Sequence, residues 1–417
     1  MENIGSKLHV LAIPLPLQGH ANPMLQFCKR LASKGVMITL ITVTSANILV
    51  QQTFNSIKIE YIPDDGNEDV GAADAAERVD DFLQRFNIAV TNNLAKTVEE
   101  KASSGHPVKV ILYDSMMAWI LEILQKLGIK GAAFFTQACA VCSIYNHIHN
   151  GTLKLPLETS DILLPSLPLL KSTDLPSFVY DPCAYPNVLD VVLSQNIILQ
   201  KADWLFFNSF EKLENEVVSW LANRYPIKTI GPTIPSIYVD KRLKEDKDYT
   251  LNLFKPNTEA SIKWLDSKEF GSVVYVSFGS LSDLEENQMQ EIACGLLRSN
   301  CNFLWVVRSS EESKVPSNLM SEAQARGLIV NWCPQLEVLA HQAVGCFMTH
   351  CGWNSTIEAL SIGVPMVTMP VWIDQTTNAK FIVDIWEVGV RVKANEKGIV
   401  TREEVEMTIK EIMHGEK

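Results

Sequence analysis

At 417 residues the chain is too long for one ordinary core, so two domains are expected. Hydrophobic residues make up 47% and charged residues 20%, which suits a soluble globular protein. A formal net charge of −12 argues against a broad nucleic-acid surface, which needs Lys and Arg clustered on one face. The first half alternates short apolar strands with longer helical patterns. Leu8–Ile13 reads as a strand, Pro23–Ser33 as the helix after it, and Val36–Val43 as a second strand. Val108–Tyr113 is a later strand that runs into Asp114 and a helix from Met117 to Leu127. The second half repeats the pattern. Ser272–Phe278 is a strand ending in Gly279-Ser280, Glu286–Arg298 is a helix, and Phe303–Val307, Leu328–Val330 and Cys346–Thr349 are strands. Strand and helix in alternation predict parallel sheets with helices on both faces.

Between the halves, Thr229-Ile230-Gly231-Pro232-Thr233-Ile234-Pro235 is rich in breakers. The expected division is a domain over 1–235, a linker over 236–254 and a second domain over 255–417. The nine cysteines are odd in number and scattered along the chain, so they read as buried free thiols in a reducing compartment. No run of about 18 apolar residues suggests a membrane span, and the N-terminus has no signal-peptide pattern. A cytoplasmic protein is the expectation.

The densest chemistry lies between Trp332 and Gln375. At its centre stand Thr349-His350-Cys351-Gly352-Trp353-Asn354-Ser355-Thr356, followed by Glu358. A histidine, a glycine and small polar residues meet there at a strand-to-helix junction. Such a junction offers backbone N–H groups, a helix dipole and side-chain donors to one anion, and a diphosphate fits it. An acidic chain can hold a diphosphate this way without a basic face.

The whole stretch resembles the signature box of plant UDP-dependent glycosyltransferases, and the match spans 44 positions. The resemblance implies an α/β fold of two doubly wound, Rossmann-like domains facing across a cleft, the GT-B fold. It implies that Trp332 stacks on uracil and that Gln335 bonds the ribose. His350, Asn354 and Ser355 would hold the diphosphate, helped by N–H groups at the helix start and by Ser280, with Gly352 and Trp353 in the same donor site, and Glu358 would accept from the ribose hydroxyls. Asp374 and Gln375 would bind the transferred sugar, with the final glutamine favouring UDP-glucose. That UDP-sugar is a co-substrate, and no cofactor is expected. The family normally runs a few dozen residues past His414-Gly415-Glu416-Lys417, so a truncated end is expected.

Taken singly, each residue has a plainer reading. Trp332 is a core aromatic, Asn354 or Ser355 a helix N-cap, Glu358 a solvated helix residue, and Asp374-Gln375 a loop. Their joint appearance at family spacing overrides these readings.

Gln18-Gly19-His20 follows the first strand, in a loop leading into a helix. Sugar transfer to a hydroxyl or carboxyl needs a base near the acceptor oxygen, and histidine suits that near neutral pH. Asp114 follows a different strand of the same sheet and could fix the tautomer. His20 as base and Asp114 as its partner also match the family's plan, with one displacement and inversion. Alone, His20 reads as a turn residue and Asp114 as an N-cap.

Thr136 and Gln137, past another strand end, are the acceptor-side candidates. Met116, Met117, Trp119, Phe134, Phe135 and Tyr145 are either an apolar acceptor wall or core. The histidines are not at ligand spacing and no carboxylate cluster stands out, so no metal is expected. The expected partners are UDP-glucose and a small-molecule acceptor, with the chain a monomer. Two rivals remain. A nucleotide-sugar enzyme such as an epimerase would bring a G-x-G-x-x-G turn, and Pro14-Leu15-Pro16-Leu17-Gln18-Gly19-His20 is not one. A non-catalytic nucleotide-sugar binder would keep 332–375 but lose the base.

Overall fold

The structure, a computed structural model, describes residues 8–44, 49–50, 57–64, 75–182, 186–249, 251–252, 257–316, 321–322 and 326–415. The chain forms two compact units. The first comprises Met1–Gly151, Asn187–Ile237 and Lys241–Leu253; the second comprises Thr152–Pro186, Tyr238–Asp240 and Phe254–Lys417. This differs from a division at one linker over 236–254, because 152–186 packs with the C-terminal unit. The expected start of the second domain, at 255, falls outside the described residues.

The first unit is built on seven parallel strands. They are β1 (His9–Ile13), β2 (Met37–Val43), β3 (Ile57–Ile62), β4 (Val110–Asp114), β5 (Lys130–Phe135), β6 (Trp204–Phe207) and β7 (Ile227–Thr229). Their spatial order is β7-β6-β5-β4-β1-β2-β3. The chain builds outward from β1 to β3, then returns to the other side of β1 with β4. The reversal falls between β1 and β4, the place where doubly wound sheets bind ligands. All five residues of β1 are buried, as expected for a strand covered on both faces. Leu11 and Ile13 are fully buried, and truncating either to alanine would cost about 2–5 kcal/mol.

The second unit repeats the plan with β8 (Val273–Ser277), β9 (Asn302–Val306), β10 (Gly327–Val330), β11 (Val344–Thr349), β12 (Met366–Thr368) and β13 (Gly389–Arg391). The order is β10-β9-β8-β11-β12-β13, again all parallel. Here the reversal falls between β8 and β11, whose ends align at Ser277 and Thr349. One core cluster includes Val274, Trp305, Met348 and Val405; another includes Tyr275, Leu304, Phe347 and Ala359.

Two helix starts differ from the sequence pattern. The first helix spans Gln18–Ala32, so Pro23 lies inside it and does not mark its start. Leu17, extended, precedes the first turn, and the N–H groups of His20 and Ala21 bond to its carbonyl. His20 therefore stands in the first helical turn and not in a preceding loop. The helix expected from Met117 begins at Ile120, because 115–119 form turns closed by Met117 N–H to the Asp114 carbonyl.

Candidate active site

At the first reversal, β1 and β4 deliver His20 and Asp114 to each other. His20 Nδ1 lies 2.8 Å from Asp114 Oδ2. Asp114 is fully buried, and its other oxygen accepts the Met116 N–H at 3.0 Å. A carboxylate only accepts, so the proton of a neutral His20 sits on Nδ1 and the lone pair on Nε2. The His20 side chain keeps 21% of its surface exposed. Thr136, just past β5, places Oγ1 3.2 Å from the same Nδ1. Thr136, expected on the acceptor side, contacts the histidine of the pair.

Gln137 donates through Nε2 to Gln195 Oε1 at 2.9 Å, and Gln195 donates to Ser115 Oγ at 3.1 Å. Gln195, on the helix Pro186–Lys201, gave no signal in the sequence. Of the apolar wall candidates, Met117, Phe134, Phe135 and Tyr145 are buried core, while Met116 and Trp119 keep partial exposure.

At the second reversal, β8 ends in Phe278-Gly279-Ser280 and β11 ends at His350. The His350 ring lies against both glycines. A Cβ on Gly279 would stand 2.7 Å from Nε2, and one on Gly352 would stand 2.5 Å away. Both residues must therefore lack a side chain, and Gly279 also holds φ +75°. Burial pushes the His350 pKa down to about 4, opposed by a hydrogen bond to the Ser277 backbone and helped by the Arg308 charge. The imidazole is thus neutral at pH 7 and meets an anion as a hydrogen-bonding group.

Gly352 caps the helix Trp353–Ile362 in extended geometry, so the first helical N–H groups belong to Trp353, Asn354 and Ser355. The Trp353 side chain is itself buried, 6.3 Å from Trp386, which leaves its backbone as the group that could meet a phosphate. Arg308 braces the opposite turn, donating to the carbonyls of Ser280 and Ser282 and pairing with Glu311 at 2.9 Å. It places a cation near the junction that the spacing alone did not reveal.

The ribose-side candidates already touch one another. Gln335 Nε2 donates to Ser355 Oγ at 3.0 Å and to Glu358 Oε2 at 2.7 Å, while Tyr275 donates to Gln335 Oε1 at 3.2 Å. Trp332 follows β10, is half-buried against the second core cluster, and accepts the Asn257 N–H through its carbonyl.

In the sugar-side loop, Asp374 caps the helix Gln375–Lys380, and Gln375 is buried. Gln375 Oε1 accepts the N–H groups of Val371 and Trp372 at 2.9 and 3.0 Å, so only its NH2 end could reach a sugar hydroxyl. Asn378, beyond the signature box, connects the Cys351 turn to the Asp374 carboxylate. Its Nδ2 donates to the Cys351 carbonyl at 2.9 Å and to Asp374 Oδ2 at 3.0 Å. Cys351 holds φ +68°, which is uncommon for a residue with a side chain.

The eight described cysteines are free thiols, and Cys183 lies outside the described residues. Burial pushes the Cys333 thiol up to about 12 and Cys351 higher still, so neither is a nucleophile at neutral pH. Among the described residues, no group of three or more His, Cys, Asp or Glu could hold a metal ion, and no helix is long and apolar enough to cross a membrane.

Two doubly wound parallel-sheet units, one with a histidine–carboxylate pair at its switch point and the other with a helix start at its own, have the architecture of the GT-B class. Residues 247–417 match the family model described as UDP-glucoronosyl and UDP-glucosyl transferase. Over 413 residues the chain is 48% identical to Mogroside I-E synthase of Siraitia grosvenorii, covering 98% of this chain and 90% of that protein. It is 46% identical to UDP-glucosyltransferase 45 of Panax ginseng, covering 99% and 90%. The crystal structure of Os79 from O. sativa with UDP superposes with a TM-score of 0.88 at 36% identity, covering 98% of this chain and 91% of that one. Os79 has also been solved in complex with a trichothecene. The chain belongs to the plant UDP-glycosyltransferase family. Its activity class is glycosyl transfer from a UDP-sugar to a small-molecule acceptor.

Proposed function

We propose that the protein moves glucose from UDP-glucose to a hydroxyl or carboxyl of a small, largely apolar acceptor, with inversion at the anomeric carbon. The observation that carries this reading is the 2.8 Å His20–Asp114 hydrogen bond, which leaves the basic lone pair on Nε2. His20 takes the acceptor's proton as its oxygen attacks the anomeric carbon. Asp114 stabilises the imidazolium that results. The bond from the anomeric carbon to the diphosphate oxygen breaks, and its electron pair leaves with UDP. A single displacement inverts the centre.

His350, Ser280 and the N–H groups of 353–355 would hold the diphosphate, and Arg308 would offset its charge through the turn it braces. Trp332 would stack on the uracil, and Gln335 with Glu358 would read the ribose. Asp374 and the Gln375 NH2 would read the sugar. The ginseng relative's name supports glucose as the transferred sugar.

The test is UDP release from UDP-glucose across phenolic, terpenoid, steroid and carboxylic acid acceptors, with product configuration read by proton NMR. A β-glucoside from the α-linked donor is the expected product. An α-glucoside, or faster turnover with UDP-galactose, would sink the corresponding part of the reading.

A further inference from the structure

We propose that Ser177 and the adjoining residues Asp174 and Leu175 are positioning residues for the transferred sugar. They would act by fixing the loop that carries Asp374 and Gln375. The inference rests on the assignment of those two residues to sugar recognition.

Ile373, immediately before Asp374, adopts φ +59°. A β-branched side chain in the left-handed region is a rare conformation that persists only where neighbours over-determine it. The neighbour here is Ser177. Ile373 N–H donates to Ser177 Oγ at 2.8 Å, and Ser177 N–H donates back to the Ile373 carbonyl at 2.8 Å. Three successive loop N–H groups, those of Val371, Trp372 and Ile373, thus point at two side-chain oxygens, Gln375 Oε1 and Ser177 Oγ.

On the other side of Asp374 the clamp continues. Thr376 Oγ1 donates to the Leu175 carbonyl and Thr377 Oγ1 to the Asp174 carbonyl, both at 2.7 Å. The Asp174 carboxylate is anchored by Arg391 of β13 at 2.9 Å and by the Lys171 N–H at 2.9 Å. The Phe178 ring meets Trp372 edge-on at 6.3 Å. Asp374 and Gln375 are therefore bracketed on both sides by one short segment, itself tied to the sheet edge. A displacement of about 1 Å in these two side chains is enough to lose a sugar hydroxyl contact.

The experiment uses Ser177→Ala and Thr376→Val, each of which removes one clamp hydroxyl, and Ser177→Thr, which keeps it. The readouts are donor KM, acceptor KM, UDP affinity by calorimetry, and the kcat/KM ratio of UDP-glucose to UDP-galactose. We expect Ser177→Ala and Thr376→Val to raise the UDP-glucose KM about tenfold. The glucose-to-galactose ratio should fall, with UDP affinity and acceptor KM unchanged, and Ser177→Thr should restore both. A purely structural role would weaken UDP as much as UDP-glucose, and that result overturns the inference. So does an Ala variant that keeps the parent KM and sugar ratio. Asp374→Ala and Gln375→Ala run alongside. If these lower sugar affinity and the clamp variants do not, positioning alone fails. If none of them does, the sugar-site assignment fails and the inference with it.

Discussion

Gln335 and Glu358, from two different helices, are joined by a 2.7 Å hydrogen bond from Nε2 to Oε2. Both are buried or half-buried, and Tyr275 and Ser355 complete their contacts. A ribose engaging Glu358 meets a carboxylate whose direction Gln335 has already set. Glu358→Gln should weaken UDP binding about 10- to 100-fold, the usual worth of hydrogen bonds to a charged group. Combined with Gln335→Ala, the loss should be less than the sum of the two. A double-mutant cycle by calorimetry checks this, and simple additivity would show that the two residues act separately.

His20→Ala should lower kcat by about 10²- to 10⁴-fold while UDP affinity stays within about twofold. Asp114→Asn should fall in the same direction, because an amide can donate to Nδ1 and force the proton onto Nε2. Steady-state rates beside UDP calorimetry separate the effects. Turnover equal to the parent in His20→Ala would remove the base assignment.

Gly279→Ala places a methyl 2.7 Å from His350 Nε2 on a backbone at φ +75°. The left-handed backbone alone costs about 1–2 kcal/mol, and the ring must move as well. UDP affinity should drop at least about tenfold, and the melting temperature should fall by a few degrees, about 2–4 °C per kcal/mol for domains of this size. Calorimetry and a thermal scan report the two losses. Parent-like UDP binding would mean that the His350 ring does not contribute to the diphosphate site.

Asn378→Ala should act on both ends of the donor. Its Nδ2 holds the carbonyl of Cys351, in a left-handed turn, and the Asp374 carboxylate. Removing it should weaken UDP and UDP-glucose together, by about five- to fiftyfold. The Ser177 variant, by contrast, is expected to affect UDP-glucose alone. Separate titrations of the two ligands make the comparison. An Asn378→Ala protein impaired only toward UDP-glucose would show that the Cys351 turn holds without it.

The His350 pKa, pushed down to about 4 by burial, gives the fold an acid sensitivity. The unfolded chain protonates this ring near pH 6.5, the folded chain only near 4. Between those values the unfolded state binds the extra proton, so this contribution is full above pH 6.5 and is lost as pH falls toward 4. The slope is at most about 1.4 kcal/mol per pH unit for one proton. Urea unfolding at pH 4–7 should therefore steepen with acid in the parent and less so in His350→Asn. Equal slopes would place the sensitivity elsewhere.

The sheets were legible in the sequence because buried parallel strands leave near-continuous apolar runs; Leu8–Ile13 and Ser272–Phe278 each fall within a residue of β1 and β8. The two families of site candidates were legible because their residues sit at strand ends and helix starts. Ser177, Gln195, Arg308 and Asn378 were not. Each meets the site candidates or their loops through folded contacts, and hydrogen bonds such as Ser177–Ile373 span 196 positions that no local period encodes. The ownership of 152–186 was hidden for the same reason, since it depends on where a segment packs and not on its composition. For Thr136 the position past β5 was readable, but not that its hydroxyl turns to His20.

The discontinuous second unit has a consequence for recombination. Exchanging the N-terminal half with that of a relative through a single breakpoint at 236–254 would also import a foreign 174–177 segment. It would then face the resident Ile373, Thr376, Thr377 and Arg391. Such a chimaera changes the N-terminal half and the support of the 371–377 loop in one step. A graft that keeps this support intact needs three crossovers, two of them flanking 152–186, so that this stretch travels with the C-terminal cassette.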